Sequence, residues 1–599
     1  MRAPSEPLGP CLRRERGIVS QETVQPVPDV AAGVEVRLVD AAHDVGLRQR
    51  EQVAVAAHVE VIGSLEDLQA AELEDVKEFF RRWYVPNNVT LVVAGDFDTA
   101  QARKWVEKYF SEIKRGEEVT PLEKRPGVVK ETVKLFHEDN FARLPELTMA
   151  WPTVEQYHPD SYALDVLTTY LTDGKKAPFY QVIVEDKKLA PNVLMYSRES
   201  ELAGQTHLVV RAFADKKLDD VAAAIGEAFA KFEKDGISQA DLDRIKAGQE
   251  TQFYNSLSSV LGKGVQLAQG NIFADDPGFS AKEIDRILAV TTDDVKRVYE
   301  KYIKGKNYVA TSFVPKGKVA QALEGSTKAE VVEEKIVQGA EDAVDPNVDA
   351  EYQKTPSSFD RSVEPPYGPE PKVSVPPVWQ DKFSNGMRIY GIENNEVPLV
   401  NFELVIDGGQ LLDDPNKVGV ANMMARMMTQ GTKNKTPEQL EEAIKQLGAR
   451  IDVSAGTESI RVTGNTLARN YPQTMALVEE ILLEPRWDAN EFALIKESTA
   501  SQIRQVEGNP NAIAQLKFNE IIYGKDNIRS RFILGTQGSV EAITLDDLKA
   551  FYAKSISPSV ARMHVVGALD KAKVTAPLAS LNKRWTAKKV APKRVSGRV

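Results

Sequence analysis

One phrase, a helix followed by an apolar strand, occurs three times in this chain, at intervals too long for a small repeat. Its fullest copy is ELEDVKEFFRRWYVPNNVTLVVAGDFDTAQARKWVEKYFSEI, Glu72 to Ile113. Val76, Phe79, Phe80 and Trp83 fall at helical spacing and give the first helix one apolar face. Pro86-Asn87-Asn88 breaks it. Val89 to Ala94 is β-branched and apolar, as a buried strand is, and Gly95-Asp96 closes it. Asp98-Thr99 opens a second helix with Ala102, Val106, Tyr109 and Phe110 on a shared face. The phrase returns as TTDDVKRVYEKYIKGKNYVATSFV from Thr291 and as TLDDLKAFYAKSISPSVARMHVVGALD from Thr544. In both, a Thr precedes an Asp by three residues (Thr291/Asp294, Thr544/Asp547), the pattern of a capping box. Asp75, Asp294 and Asp547 are 219 and 253 residues apart, so the repeating unit is a whole domain. Asp-Asp-Val-Lys openings are common on helices, but three copies, each leading into an apolar strand, argue against coincidence.

A chain of 599 residues, 42% hydrophobic and 27% charged, is an ordinary globular protein of several domains. Its net charge of −11 argues against nucleic acid as a partner. No apolar run reaches membrane-spanning length, and the opening MRAPSEPLGPCLRRERGIVSQ lacks the apolar core of an export signal. Cys11 is the one cysteine, which excludes an internal disulfide or a cysteine metal cluster. It leaves the compartment open, periplasm or cytoplasm of a bacterium alike.

Taken in order, residues 1–58 contain no lysine and show no sustained period, whereas lysine is frequent from Lys77 onward. They read either as a disordered tail or as a stretch misjoined to a coding frame that begins near Val61. Residues 59–115 hold the first copy of the phrase. Residues 116–325 alternate strands (Leu147 to Pro152, Thr206 to Phe213) with amphipathic helices. Tyr162, Leu164, Leu167 and Leu171 point inward on one helix, and Ser238 with Asp241 caps another. Residues 326–378 form an acidic and Pro-rich linker, with seven prolines from Pro356 to Pro377. Residues 379–587 open with a hairpin turning at Asn385-Gly386. Next come a strand ending at Gly408-Gly409, the helix GVANMMARMM and a helix capped by Thr436 and closed by Gly448. Residues 588–599 are a basic tail. The fold expected is α+β: repeated two-layer rolls of helices on antiparallel sheet.

WYVPNNVTLVVAGDFD (83–98), EKYF (107–110), FSNGMRIY (383–390), GVANMMARMMTQGT (419–432), PEQLEEAIKQLGARI (437–451) and the phrase from Thr544 together resemble the insulinase/pitrilysin family of zinc metallopeptidases, inverted zincins of the mitochondrial-processing-peptidase type. The likeness runs over roughly residues 62 to 587. It implies two half-clamshells of two α/β rolls each, joined by a linker, and a peptide-hydrolysing function. It also implies a chain incomplete at both ends. Residues 59–115 would be the remnant of a first roll, 116–325 the second and 379–587 the third.

The family's chemistry needs His-x-x-Glu-His on a helix, which sets two imidazoles on one zinc and a carboxylate beside the bound water, with a later Glu as third ligand. The six histidines here, His43, His58, His137, His158, His207 and His564, contain no such pair. At the corresponding position of the third roll stand Asn422 and Arg426 for the His pair and Ala425 for the Glu. In the third-ligand region lie Ser501 and Gln502, with Glu497 out of register. The Met-rich helix around them reads as core packing. Tyr196 and Arg198 fall in the wrong half to steady a transition-state oxygen and are taken as structural. The expectation is a family relative whose catalytic segment is missing from this chain: no catalytic residue, no zinc bound by the chain, no turnover. The alternative is a peptide-binding or assembly subunit beside an active family partner, since inactive relatives of the family play such parts. Partners would be extended peptides or a complementary family subunit. The second and third rolls are expected to fold independently on a flexible linker, and Val89 to Ala94 to expose strand edges.

Overall fold

The structure is a computed structural model that describes residues 68, 70–331, 357–364, 368, 374–507 and 509–590. The expectations for 1–58, for most of the linker and for the tail beyond 590 lie outside the described residues, as do Cys11, His43 and His58.

The repeat reappears as architecture. After α1 (Leu73–Trp83) and α2 (Thr99–Phe110) comes a first unit. It runs β1 (Val133–Asp139), β2 (Glu146–Thr153), α3 (Pro159–Thr172), β3 (Leu194–Glu199), β4 (Gly204–Arg211), α4 (Leu218–Asp235), α5 (Gln239–Ser256), α6 (Val260–Ala274), α7 (Ser280–Ala289), α8 (Thr292–Val298), β5 (Val309–Pro315) and β6 (Thr327–Lys328). A second unit begins β7 (Trp379–Lys382), β8 (Arg388–Glu393), β9 (Leu399–Asp407), α9 (Val420–Met428), α10 (Pro437–Gln446), β10 (Arg450–Ala455) and β11 (Ser459–Leu467). It continues α11 (Tyr471–Leu483), α12 (Ala489–Glu507), α13 (Pro510–Tyr523), α14 (Gln537–Ala542), α15 (Leu545–Ser555) and β12 (Ala561–Gly567). The sheets match strand for strand, β3-β4-β2-β5-β1-β6 against β10-β11-β9-β12-β8-β7.

Each unit is two layers, a sheet with helices on one face, and each has its own apolar core. On β2, Leu147, Met149, Trp151 and Thr153 alternate into the helix layer. Tyr162, Leu164, Leu167 and Leu171 of α3 are buried, as their spacing predicts. The sheets are mixed and not wholly antiparallel: β1 runs parallel to β5 and β6, and β12 parallel to β8. The connections explain this, because the chain returns from the helices to lay the repeat's strand beside the unit's early strand in the same direction, which only a crossover allows.

The two later copies of the phrase have the expected caps. Asp294 N–H donates to Thr291 Oγ1 at 3.1 Å and Asp547 N–H to Thr544 Oγ1 at 3.3 Å, each carboxylate reaching back to the Thr backbone. Their strands, β5 and β12, are central in the sheets. The first copy differs. Val89 to Ala94 forms no ladder among the described residues, so the strand expected there is an unpaired extended segment. A strand is defined by its neighbours, and apolar alternation supplies none. The segment instead lies along α6, where Asn271 Nδ2 donates to Thr90 Oγ1 at 2.9 Å. Val92 and Ala94 cover Gly264, and a Cβ on that glycine would stand 3.8 and 3.7 Å from them. Neither α1 nor α2 buries a residue completely.

The two units are not held apart on a tether, as expected from the linker, but pack directly, α5 against α10 and β9. Arg469 grips buried Glu250 with two bonds of 2.7 and 2.5 Å, and Thr251 Oγ1 donates to the Gly448 carbonyl at 2.7 Å. Lys445 meets Asp173 at 2.8 Å. Gly448 has φ +56°, and a Cβ there would stand 2.3 Å from the Ala247 carbonyl oxygen. The glycine that ends α10 is therefore also what lets the units approach.

Candidate functional site: the metal-motif position

The helix expected to carry the motif position, α9, starts on a left-handed glycine. Gly419 has φ +111°, and a side chain there would collide with the Leu534 carbonyl. Asp413 fixes this start: its two carboxylate oxygens accept the N–H groups of Gly419 and Ala421, both at 2.9 Å. Burial pushes the Asp413 carboxyl up to about 7, while those two N–H groups pull it back. Met423, Met424, Met427 and Met428 are fully buried, filling the core between α9, the sheet and α15.

Asn422, Ala425 and Arg426 lie one turn along the same helix. Ala425 is buried and brings no polar atom. The Asn422 side-chain oxygen is buried without a hydrogen-bond partner. Arg426 reaches across to α12, donating to Thr499 Oγ1 at 2.8 Å and Ser498 Oγ at 3.2 Å. Among the described residues it forms no ion pair, and burial draws its guanidinium below the usual range. The guanidinium thus puts a positive charge between α9 and α12.

The expectation for α12 needs correction. Ser501, Gln502 and Glu497 are exposed and do not face Arg426. Ser498 and Thr499 do, because Ile495, Thr499 and Ile503 form the inward stripe of that helix. Four-residue spacing of those three was the signal that could have set the phase.

The described histidines are dispersed, each with a local role. His158 Nδ1 accepts the Asp160 N–H at the start of α3 (3.0 Å), His137 stacks on Phe313, His207 on Tyr196, and His564 lies 3.5 Å from Glu403. Tyr196 and Arg198 lie on the edge strand β3. Among the described residues no group of three His, Cys, Asp or Glu could hold a metal ion, and no helix is long and apolar enough to cross a membrane.

Two family descriptions match the chain: "Peptidase M16 inactive domain" over residues 70–249 and "Insulinase (Peptidase family M16)" over 389–535. Among proteins of similar sequence, "Zinc protease PqqE" of Helicobacter pylori is 25% identical over 250 residues, 41% of this chain and 56% of that one. "Non-peptidase homolog YmxG" of the same organism is 26% identical over 162 residues, 27% of this chain and 37% of that one. The beta subunit of the mitochondrial-processing peptidase of Saccharomyces cerevisiae is 20% identical over 200 residues, 33% and 43% of the two chains. The chain spans about half the length of the relatives it matches, or less. Among solved structures, the periplasmic protease PqqL of Escherichia coli aligns with 93% of this chain and 64% of its own, at 14% identity and a TM-score of 0.37.

Proposed function

The chain belongs to the insulinase/pitrilysin family of peptidases, and from that membership we propose that it serves the family's peptide chemistry by holding polypeptide and not by cutting it. It is a relative of zinc metalloendopeptidases whose own residues supply no hydrolytic zinc centre. What supports this reading is the resemblance along α9, which puts Asn422, Ala425 and Arg426 at the family's ligand and base positions, together with the tie of Arg426 to Ser498 and Thr499 on the facing helix. A zinc hydrolase needs neutral imidazoles and a carboxylate there, to hold the metal and take a proton from its water. This face offers an amide, a methyl group and a cation. The ligands are extended peptides, or a complementary family subunit that brings the zinc centre. The names of the relatives fit both a peptidase and a non-peptidase.

The test is metal content with turnover. Purified chain loaded with zinc and then desalted is expected to retain well under one zinc per chain and to leave an unstructured fluorogenic peptide intact. Stoichiometric zinc, with cleavage that a chelator abolishes and added zinc restores, would refute the proposal.

A further inference from the structure

Arg297, Arg469 and Arg584 each meet a buried carboxylate, Asp160 at 2.6 Å, Glu250 at 2.5 Å and Glu479 at 2.6 Å. Arg426, half-buried between α9 and α12, meets none among the described residues. Two of its five N–H groups are engaged, both by the neutral hydroxyls of Ser498 and Thr499. Thr499 is fixed in turn, its own hydroxyl donating to the Ile495 carbonyl at 2.7 Å. Burial is the one influence that shifts the guanidinium, so no carboxylate stands near enough to offset it. A cation partly withdrawn from water without a counter-charge is destabilising, and an anion seated on it relieves that.

A second unmet group lies beside it. One turn earlier on α9, four residues back and so on the same face, the Asn422 side-chain oxygen is buried and accepts no hydrogen bond. It calls for an N–H donor where Arg426 calls for a negatively charged acceptor. Asn422, Arg426 and Ser498 are all partly exposed, so this seam is reached from solvent. A polypeptide carries both missing groups within one residue. At its C-terminus, and at Asp or Glu, a backbone N–H lies a few bonds from a carboxylate. The planar guanidinium fork suits that carboxylate, which takes two N–H groups at once.

We propose that the seam between α9 and α12 binds a carboxylate of an extended polypeptide, Arg426 donating to the carboxylate and the Asn422 oxygen accepting the adjacent backbone N–H. The inference rests on the reading that the chain holds polypeptide, and it names the group by which the polypeptide is held.

The experiment is fluorescence anisotropy of the full chain with a short unstructured peptide labelled at its N-terminus with a neutral dye. The peptide is made as a free acid without acidic side chains, as the C-terminal amide, and as the amide with one internal Glu. The free acid, the Glu form or both should bind wild type at least about tenfold more tightly than the plain amide, as a hydrogen bond to a charged group contributes. Which form gains identifies the source of the carboxylate. Arg426→Gln should bring the three to equal affinity. Ser498→Asp sets a carboxylate on the guanidinium from within the chain, so it should remove the same preference while raising the melting temperature. If Arg426→Gln loses its circular dichroism signal, Ser498→Asp decides alone. Equal binding of the three forms by wild type, a preference that survives in a folded variant, or a Ser498→Asp chain that melts below wild type would each overturn the site and leave the polypeptide-holding reading intact. Binding of none of the three would overturn both.

Discussion

Asp160, buried at the start of α3, receives three donors from the helix of the repeat: Arg297 Nη1 at 2.6 Å, Lys301 Nζ at 2.8 Å and the Tyr302 hydroxyl at 2.7 Å. Burial alone would raise its pKa, but those bonds outweigh it and hold the carboxyl well below the usual carboxylate range. A depressed folded-state pKa contributes stability above the unfolded value, about 4, and loses it as pH falls towards the folded value. Asp160→Asn should therefore cost about 2 kcal/mol at pH 7, less than a fully buried pair because Arg297 and Lys301 are half-exposed. The gap from wild type should shrink below pH 3, and urea midpoints at the two pH values measure both. None of these partners was legible in advance, since they lie more than 130 residues from Asp160. Asn422, Ala425 and Arg426 were legible as neighbours on one helical turn, because spacing at i, i+3 and i+4 is local. Ser498 and Thr499 were not, because choosing them requires the rotation of a second helix about its axis.

Capping boxes are short-range chemistry, and those at Thr291, Thr436 and Thr544 appear where the residue types put them. The strand assigned to Val89 to Ala94 fails for the opposite reason. Its residues suit a strand, but its partners must come from elsewhere, and those that meet it are a helix, through Asn271 and Gly264. The same composition in β5 and β12 sits mid-sheet. The element thus takes its state from its neighbours, and β propensity only permits it. At this scale Thr544→Ala, which removes the acceptor for Asp547 N–H, should cost about 1 kcal/mol. Thr544→Ser should restore most of it, as chemical denaturation would read. A loss unchanged in the Ser variant would mean that the methyl group, and not the cap, stabilises α15.

The long period in the sequence announced two similar units but not their contact, to which one glycine and one buried carboxylate contribute beside ion pairs such as Lys445 with Asp173. At Gly448 a left-handed backbone and the nearness of the Ala247 carbonyl coincide. Gly524, also left-handed at φ +84°, has nothing within 4 Å of where a Cβ would stand. Alanine at either position adds backbone strain of about 1–3 kcal/mol. Only at position 448 must it also push the units apart, taking with it the Thr251 bond and the Arg469 grip on Glu250. Gly524→Ala should thus lower the melting temperature slightly and keep the shape of the transition. Gly448→Ala should lower it further and broaden or split it, because each unit keeps its own core when the contact is lost. Glu250→Gln should split the transition in the same way without touching the backbone, since it leaves Arg469 with a neutral partner. Scanning calorimetry on the three variants separates the outcomes. If Gly448→Ala and Gly524→Ala melt alike, with single transitions of equal width, the contact between the units contributes nothing to the stability of either.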